Sequence, residues 1–168
     1  KKFLKDGKDT KFRCFSASQE VLYKNTYNAR KHNFDLVKKE STENIVKLIK
    51  DSLPKKATTV RIHVGGDFFN QKYFDAWLQV AKDIPNVLFY AYTKALPFWI
   101  SRMNEIPSNF KLNASKGGKR DDLIKEHNLK EAVVVYSEKQ AEELGLEIDH
   151  DDTHAYKGDV SFALLIHG

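Results

Sequence analysis

Two glycines and an aspartate follow a short β-branched stretch of the chain and form the first candidate site. The stretch "TTVRIHV" (58–64) precedes Gly65, Gly66 and Asp67, and His63 interrupts its apolar pattern. Glycine allows positive φ and close approach of the backbone to a ligand, and a helix start stabilises a carboxylate. The pattern therefore predicts Gly65 and Gly66 as ligand-binding residues and Asp67 as catalytic. The alternatives are a tight strand-to-helix turn capped by Asp67 and a hydrogen-bonded core histidine.

Further polar residues stand where two later apolar stretches end. Lys94 follows "VLFYAYT", whereas Asn113, Ser115 and Lys116 lie at the end of "FKLNAS" or directly after it. If these stretches are parallel strands, their ends meet at one edge of a sheet, where ligands bind. We therefore predict Lys94 as a second catalytic residue beside Asp67, and Asn113, Ser115 and Lys116 as ligand-binding residues. A solvated strand end or a flexible turn would give the same pattern.

An acidic, histidine-containing segment near the end of the chain is a candidate metal site. The segment "DHDDTH" (149–154) offers carboxylates and imidazoles, which bind Zn²⁺, Mn²⁺ and Fe²⁺. If the segment is extended, His150, Asp152 and His154 point to the same side. They are therefore the predicted ligands of a divalent metal ion. The alternative is a plain solvated turn, because the spacing matches no well-defined ligand signature.

Alternating strand-like and helix-like stretches must position these residues. Short apolar, β-branched runs predict five strands, and helical spacing with capping residues predicts the helices between them. The predicted strands are 58–64, 87–93, 110–115, 132–137 and 160–167. The predicted helices are 18–39, one from Ser41 or Thr42 to Pro54, one from Asn70 to Ile84, one from Pro97 to Met103, 121–127 and 137–145.

The strand spacing indicates an α/β fold with a mainly parallel sheet. Successive strands start near residues 60, 87, 110, 132 and 160, about 22 to 28 residues apart, which is about the length of a βα unit. A partial βα barrel is favoured, and an open doubly wound sheet also fits. We expect a single domain, with a helical amino-terminal part (1–57) and βα repeats (58–168). Because the chain starts at Lys1 and ends in an apolar run, we also expect it to be a piece of a longer protein.

Composition narrows the class of protein and its partners. The 168 residues are 41% hydrophobic and 30% charged, with a net charge of +5, a pI of about 9.1 and one cysteine. These values predict a cytoplasmic protein without a membrane partner. The positive charge favours an anionic ligand such as a nucleotide or nucleic acid, although a lysine-rich surface also serves solubility. The oligomeric state stays open.

The middle of the chain resembles a family of bacteriophage proteins. The stretch "VRIHVGGDFFNQKYFDAWLQVAKDIPNVLFYAYTKALPFW", together with the later "DHDDTH" and "ALLIHG", is similar to the gene product eighty-eight family. The resemblance covers roughly residues 58–168. It implies a phage or mobile-element protein whose activity is not established.

That family is in turn distantly similar to radical S-adenosylmethionine enzymes, which have a partial βα barrel. The resemblance places Gly65-Gly66-Asp67 where those enzymes hold the cofactor's amino group, and "RCFSA" (13–17) at the end of a cysteine-rich opening. One thiolate, that of Cys14, cannot hold an iron–sulfur cluster, which needs about three or four. Either the other cysteines lie before Lys1 in a longer protein, or this member has lost the chemistry; with one cysteine we expect neither the cluster nor S-adenosylmethionine. Two functions remain: a phage protein with a polar, metal-binding pocket for a phosphate-bearing ligand, or a non-enzymatic binding module that has lost its cluster.

Overall fold

Five parallel strands form one curled sheet that makes half of a barrel. The computed structural model describes residues 15–166, so Cys14 lies outside the described residues. The strands follow each other in chain order across the sheet, and every neighbouring pair is parallel, which confirms the predicted α/β partial barrel. They are β1 (Thr59–Arg61), β2 (Leu88–Thr93), β3 (Phe110–Ser115), β4 (Glu131–Val135) and β5 (Phe162–Leu165).

Helices precede the sheet and connect its strands. Ser41, Asn70 and Ser137 each accept a backbone hydrogen bond at a helix start, as their positions in the sequence predict. Within residues 15–166, no helix has the length and apolar character needed to cross a bilayer. The helices are α1 (Phe15–Leu22), α2 (Lys24–Val37), α3 (Thr42–Ser52), α4 (Gln71–Asp83), α5 (Leu96–Ile100), α6 (Asp122–Glu126), α7 (Glu138–Leu144) and α8 (Thr153–Tyr156).

The two faces of the sheet have different contents, because side chains alternate along each strand. Phe89 and Ala91 of β2 belong to the main hydrophobic core with α3 and α4, so this is the outer face of the half-barrel. Tyr90 and Tyr92 point to the inner face, where Tyr90 packs with Phe162 and with α8. The inner face is therefore not an empty barrel interior, because the segment that contains α8 lies on it.

Several predicted boundaries are wrong in ways that matter for the site. Strand β1 ends at Arg61 rather than at residue 64, and only the N–H of Ile62 continues the pairing, with the carbonyl of Tyr90 at 2.9 Å. The helix predicted over 18–39 is interrupted at Tyr23, which has extended φ and ψ. The chain from 62 to 70 thus leaves the sheet early and runs beside α2. The short helix α8 was not predicted at all.

Candidate functional site

Asp67 connects the loop after β1 to the end of β2. Its Oδ1 accepts hydrogen bonds from Thr93 Oγ1 at 2.6 Å and Phe68 N at 2.7 Å, and its Oδ2 accepts one from Lys94 N at 2.7 Å. Burial raises the pKa of the Asp67 carboxyl, and these three hydrogen bonds offset part of the rise. The carboxylate thus has a clear structural role, and its catalytic role stays a prediction.

Lys94 continues this connection from β2 to the end of β3. Its Nζ donates to Ser115 Oγ at 2.8 Å and to the carbonyl oxygens of Ser115 and Lys116, both at 3.0 Å. Lys116 itself is half-exposed and forms an ion pair with Glu131 at 3.4 Å. The structure therefore brings Asp67, Lys94, Ser115 and Lys116 to one edge, where their polar atoms bind one another. Their roles in ligand binding and catalysis stay predictions.

Gly65 and Gly66 lie where the helical amino-terminal part meets the sheet. Gly66 has a φ of +94°, which favours glycine. A Cβ at Gly65 would lie 2.5 Å from Nη2 of Arg30 and 2.6 Å from Oγ of Ser16. Arg30 in turn donates to Ser16 O at 3.1 Å and Gln19 Oε1 at 2.8 Å, which connects α2 to α1. A residue without a side chain at position 65 thus lets α1 and α2 approach the loop.

Asn113 is deeply buried beneath α8 instead of lying open at the edge. Its side chain is fully buried, and its Nδ2 donates to Ala155 O at 2.9 Å and to Ala91 O at 3.2 Å. Its Oδ1 has no hydrogen-bond partner among residues 15–166. The described contacts make Asn113 an anchor for α8, and ligand binding by this residue stays a prediction.

The three predicted metal ligands face different surroundings. The segment is not extended, because Asp152 has a left-handed backbone with a φ of +64° and α8 starts directly after it. The carboxylate of Asp152 accepts hydrogen bonds from Arg61, Tyr90 and Tyr92. In the described part of the chain, no three His, Cys, Asp or Glu side chains are grouped so that they could hold a metal ion.

The two histidines of the segment do not share the contacts of the Asp152 carboxylate. His150 is exposed, whereas Nε2 of His154 lies 2.9 Å from Glu147 and its Nδ1 lies 3.5 Å from the buried Asp149. The hydrogen bond with Glu147, and then the charge of Asp149, raises the pKa of His154. The extended geometry assumed for a shared metal is therefore wrong, and metal binding by His150, Asp152 and His154 stays a prediction.

A groove between α2, α3 and the loop after β1 was missed by sequence reasoning. Its volume is about 950 Å³, and Gly65, Gly66 and Asp67 lie on its lining. Three aromatic side chains form one wall: Phe34 meets Phe69 edge to face at 5.0 Å between centroids, and Phe69 stacks on Tyr73 at 4.8 Å. We call this cavity the α2 groove.

Two residues that line the α2 groove, His63 and Trp77, each have a buried ring nitrogen without a partner. Nε2 of His63 lies 3.2 Å from the hydroxyl of Tyr73, but its Nδ1 has no partner among the described residues, and neither has Nε1 of Trp77. Burial raises the pKa of Tyr73, and the nearby Trp77 indole offsets part of the rise, although its Nε1 does not meet the distance and angle limits of a hydrogen bond. Burial lowers the pKa of His63 to about 4, so its ring is neutral near pH 7. The interruption of an apolar strand by His63 was the sequence signal for this site.

Comparisons with known proteins relate the chain to phage proteins. Gene 88 protein of Mycobacterium phage L5 is 32% identical over 90 residues, and Gene 88 protein of Mycobacterium phage D29 is 33% identical over 90 residues. Each alignment covers 48% of this chain and 38% of the phage protein, so the chain matches well under half of these relatives' length. No solved structure matches the chain. The sequence profile of the family described as Gene product 88 matches residues 8–168, and the chain therefore belongs to that family.

Proposed function

We propose that this phage protein binds a phosphate-bearing ligand with a planar ring, a nucleotide or a nucleic-acid base, in the α2 groove. The observation that carries the proposal is the pair of unpartnered buried nitrogens, His63 Nδ1 and Trp77 Nε1, on an aromatic lining. A buried polar group without a hydrogen bond costs about 1–3 kcal/mol. A ligand edge that carries both donors and acceptors would remove this cost.

The aromatic wall suits a flat ring. Phe34 is 45% exposed, and so it presents part of its ring to the groove rather than to the core. Stacking of a base on an aromatic side chain is worth about 1–3 kcal/mol. Because His63 is neutral near pH 7, it would contact the uncharged edge of the ring and not a phosphate.

Two cationic side chains of the groove lining are the expected contacts of the phosphate. Arg30 and Lys31 of α2 both line the groove. Each is also paired with a carboxylate, Arg30 with Glu20 at 3.4 Å and Lys31 with Asp35. Arg30 uses its guanidinium for Gln19 and the backbone of Ser16, and a guanidinium has five N–H donors, so it can also donate to a phosphate oxygen. The net charge of +5 acts in the same direction. We expect the affinity to fall as salt rises.

Binding fits the contacts of the edge residues better than catalysis does. Asp67 already accepts three hydrogen bonds, and Nζ of Lys94 donates to three oxygens. A general base or acid must reach the reacting proton, and both groups would first have to break these contacts. We therefore propose binding in the α2 groove, and the catalytic roles of Asp67 and Lys94 stay predictions.

The test is a calorimetric titration of the purified chain with nucleoside monophosphates and with short single-stranded oligonucleotides. We expect Phe34→Ala to weaken binding about 5-fold or more, since about 1 kcal/mol of stacking is lost. Tyr136→Ala, which also removes an exposed aromatic ring but lies outside the groove lining, is the matched control and should leave the affinity unchanged. The proposal fails if the chain binds none of these ligands at millimolar concentration, or if Phe34→Ala and Tyr136→Ala bind equally well.

A further inference from the structure

We propose that Arg61, Tyr90 and Tyr92 form an oxyanion-binding site on the inner face of the half-barrel, which Asp152 of the same chain occupies. The ligand class is a small oxyanion, with phosphate and phosphate monoesters as the expected members. The segment 149–158 that carries Asp152 then acts as a strap, because it must move before an external anion can take the site. This inference does not rest on the α2 groove.

Three donors converge on a single carboxylate. Nη1 of Arg61 lies 2.8 Å and the hydroxyl of Tyr90 2.9 Å from Oδ2 of Asp152, and the hydroxyl of Tyr92 lies 2.7 Å from its Oδ1. The guanidinium carbon of Arg61 also lies 5.0 Å from the centroid of the Tyr92 ring. One cation and two hydroxyls around two oxygens are a general oxyanion receptor, and nothing in this donor set requires the anion to be a side chain.

The donors are held by the sheet, whereas the acceptor is held by a loop. Arg61 is the register partner of Tyr90 on neighbouring strands, and Tyr92 lies two residues further along the same face of β2. Asp152 has a φ of +64°, a backbone conformation that residues other than glycine rarely adopt. The receptor is therefore rigid, and the occupant reaches it through an unfavourable conformation that its release would relieve.

The remaining contacts of the strap keep Asp152 in place. Nδ2 of Asn113 donates to the carbonyl of Ala155 at 2.9 Å, and Nζ of Lys130 donates to that of Gly158 at 3.1 Å. The ring of Tyr156 lies 5.4 Å from that of Tyr90. These contacts give the carboxylate a high effective concentration, so an external anion competes only if it binds more strongly than Asp152 does. Phosphate meets this condition better than a carboxylate because it carries more charge and more acceptor oxygens.

Solvent reaches the site while the strap is closed. The Arg61 side chain is 33% exposed and that of Asp152 is 25% exposed. An incoming anion can therefore meet Arg61 before the carboxylate has left. This partial exposure is a feature that a purely structural, fully buried ion pair would not need.

The experiment removes the internal competitor and asks whether external anions take its place. Asp152→Gly suits the positive φ, and Asp152→Asn keeps the shape of the side chain if the glycine variant does not fold. Each variant is titrated by calorimetry with inorganic phosphate, phenyl phosphate and acetate, beside the unchanged chain. We expect the variants to bind inorganic phosphate at least 10-fold more tightly than the unchanged chain does.

Two controls decide whether the gain belongs to this site. Adding Arg61→Ala to either variant should abolish the gain, and Asp159→Asn, which removes a 92% exposed carboxylate beside Lys111, should produce none. Tighter binding of phenyl phosphate than of inorganic phosphate would identify a monoester as the ligand, and equal binding would identify free phosphate. The inference is overturned if neither Asp152 variant gains anion affinity, or if the gain persists without Arg61. Phe34→Ala should not affect any of these results, so they are independent of the α2 groove.

Discussion

Acidification should weaken the fold through His63. Burial lowers the pKa of its imidazole to about 4, from 6.5 in the unfolded chain. Between these two values the unfolded state binds a proton that the folded state does not, so stability falls as the pH falls through this window. The contribution is fully present above pH 6.5 and is lost as the pH approaches 4.

The size of this effect follows from the two pKa values. The difference between 6.5 and about 4, at about 1.4 kcal/mol for each pH unit, gives a loss of about 3 kcal/mol between pH 7 and pH 4. A loss of this size is a large part of the roughly 5–15 kcal/mol by which a folded domain is typically stable. Urea denaturation at a series of pH values, read through tryptophan fluorescence, measures it directly.

A matched variant separates His63 from the other titrating groups. His63→Phe keeps an aromatic ring beside Phe68, whose centroid lies 4.9 Å from that of His63. The variant loses the contact with the Tyr73 hydroxyl, which is a constant cost because burial keeps that hydroxyl protonated over this range. The unfolding free energy of the unchanged chain should therefore fall by about 3 kcal/mol more than that of His63→Phe between pH 7 and pH 4. A difference that does not change with pH, or an imidazole that titrates near 6.5 by NMR, would refute the buried, neutral His63.

Three further substitutions test the contacts at the sheet edge and in the groove. Lys94→Met leaves the carbonyl oxygens of Ser115 and Lys116 without the Nζ donor. It should lower the urea midpoint by the equivalent of about 1–3 kcal/mol. An unchanged midpoint would show that the contact does not stabilise the fold. Asp67→Asn places an amide N–H₂ group against one of the three donors that the carboxylate now accepts from. It should lower the unfolding free energy by about 1–3 kcal/mol as well, which thermal denaturation in the same buffer measures. Trp77→Phe removes the unpartnered Nε1 and should therefore cost less stability than the loss of about 3–5 kcal/mol that is usual for Trp→Ala in a core; a loss within that range would mean that Nε1 has a partner.

The sheet could be predicted because its signals are local. Strands β2 and β3 are short apolar runs, and Asn70 caps α4, whose apolar face covers them. Ser137 caps α7, which packs on β4. Strand β1 was predicted too long because "RIHV" continues the β-branched pattern beyond Arg61. Within residues 15–166, β1 pairs only with β2 and stands at the end of the strand order. An edge strand keeps one row of backbone groups unpaired, so it can leave the sheet at lower cost than a central strand.

It was easier to predict which residues come together at the site than to predict what each polar atom binds there. Parallel strands bring Asp67, Lys94 and Ser115 together whatever their side chains bind. Whether each polar atom is free or engaged depends on distances of a few tenths of an ångström, which no spacing in the sequence contains. The same holds for Asp152, whose left-handed backbone turns its carboxylate to Arg61 and away from the histidines beside it.

The early end of β1 also leaves a groove open beside the sheet. The strap 149–158 covers the inner face at β2 and β3, and the contacts of Lys94 close the edge between the same two strands. Beside β1, in contrast, the loop 62–70 diverges from the sheet, and the α2 groove lies between this loop and α2. The glycine at position 65 keeps that loop close to Arg30. An Ala there must push the guanidinium aside, and it would therefore change the rim of the groove while β2 and β3 stay in place.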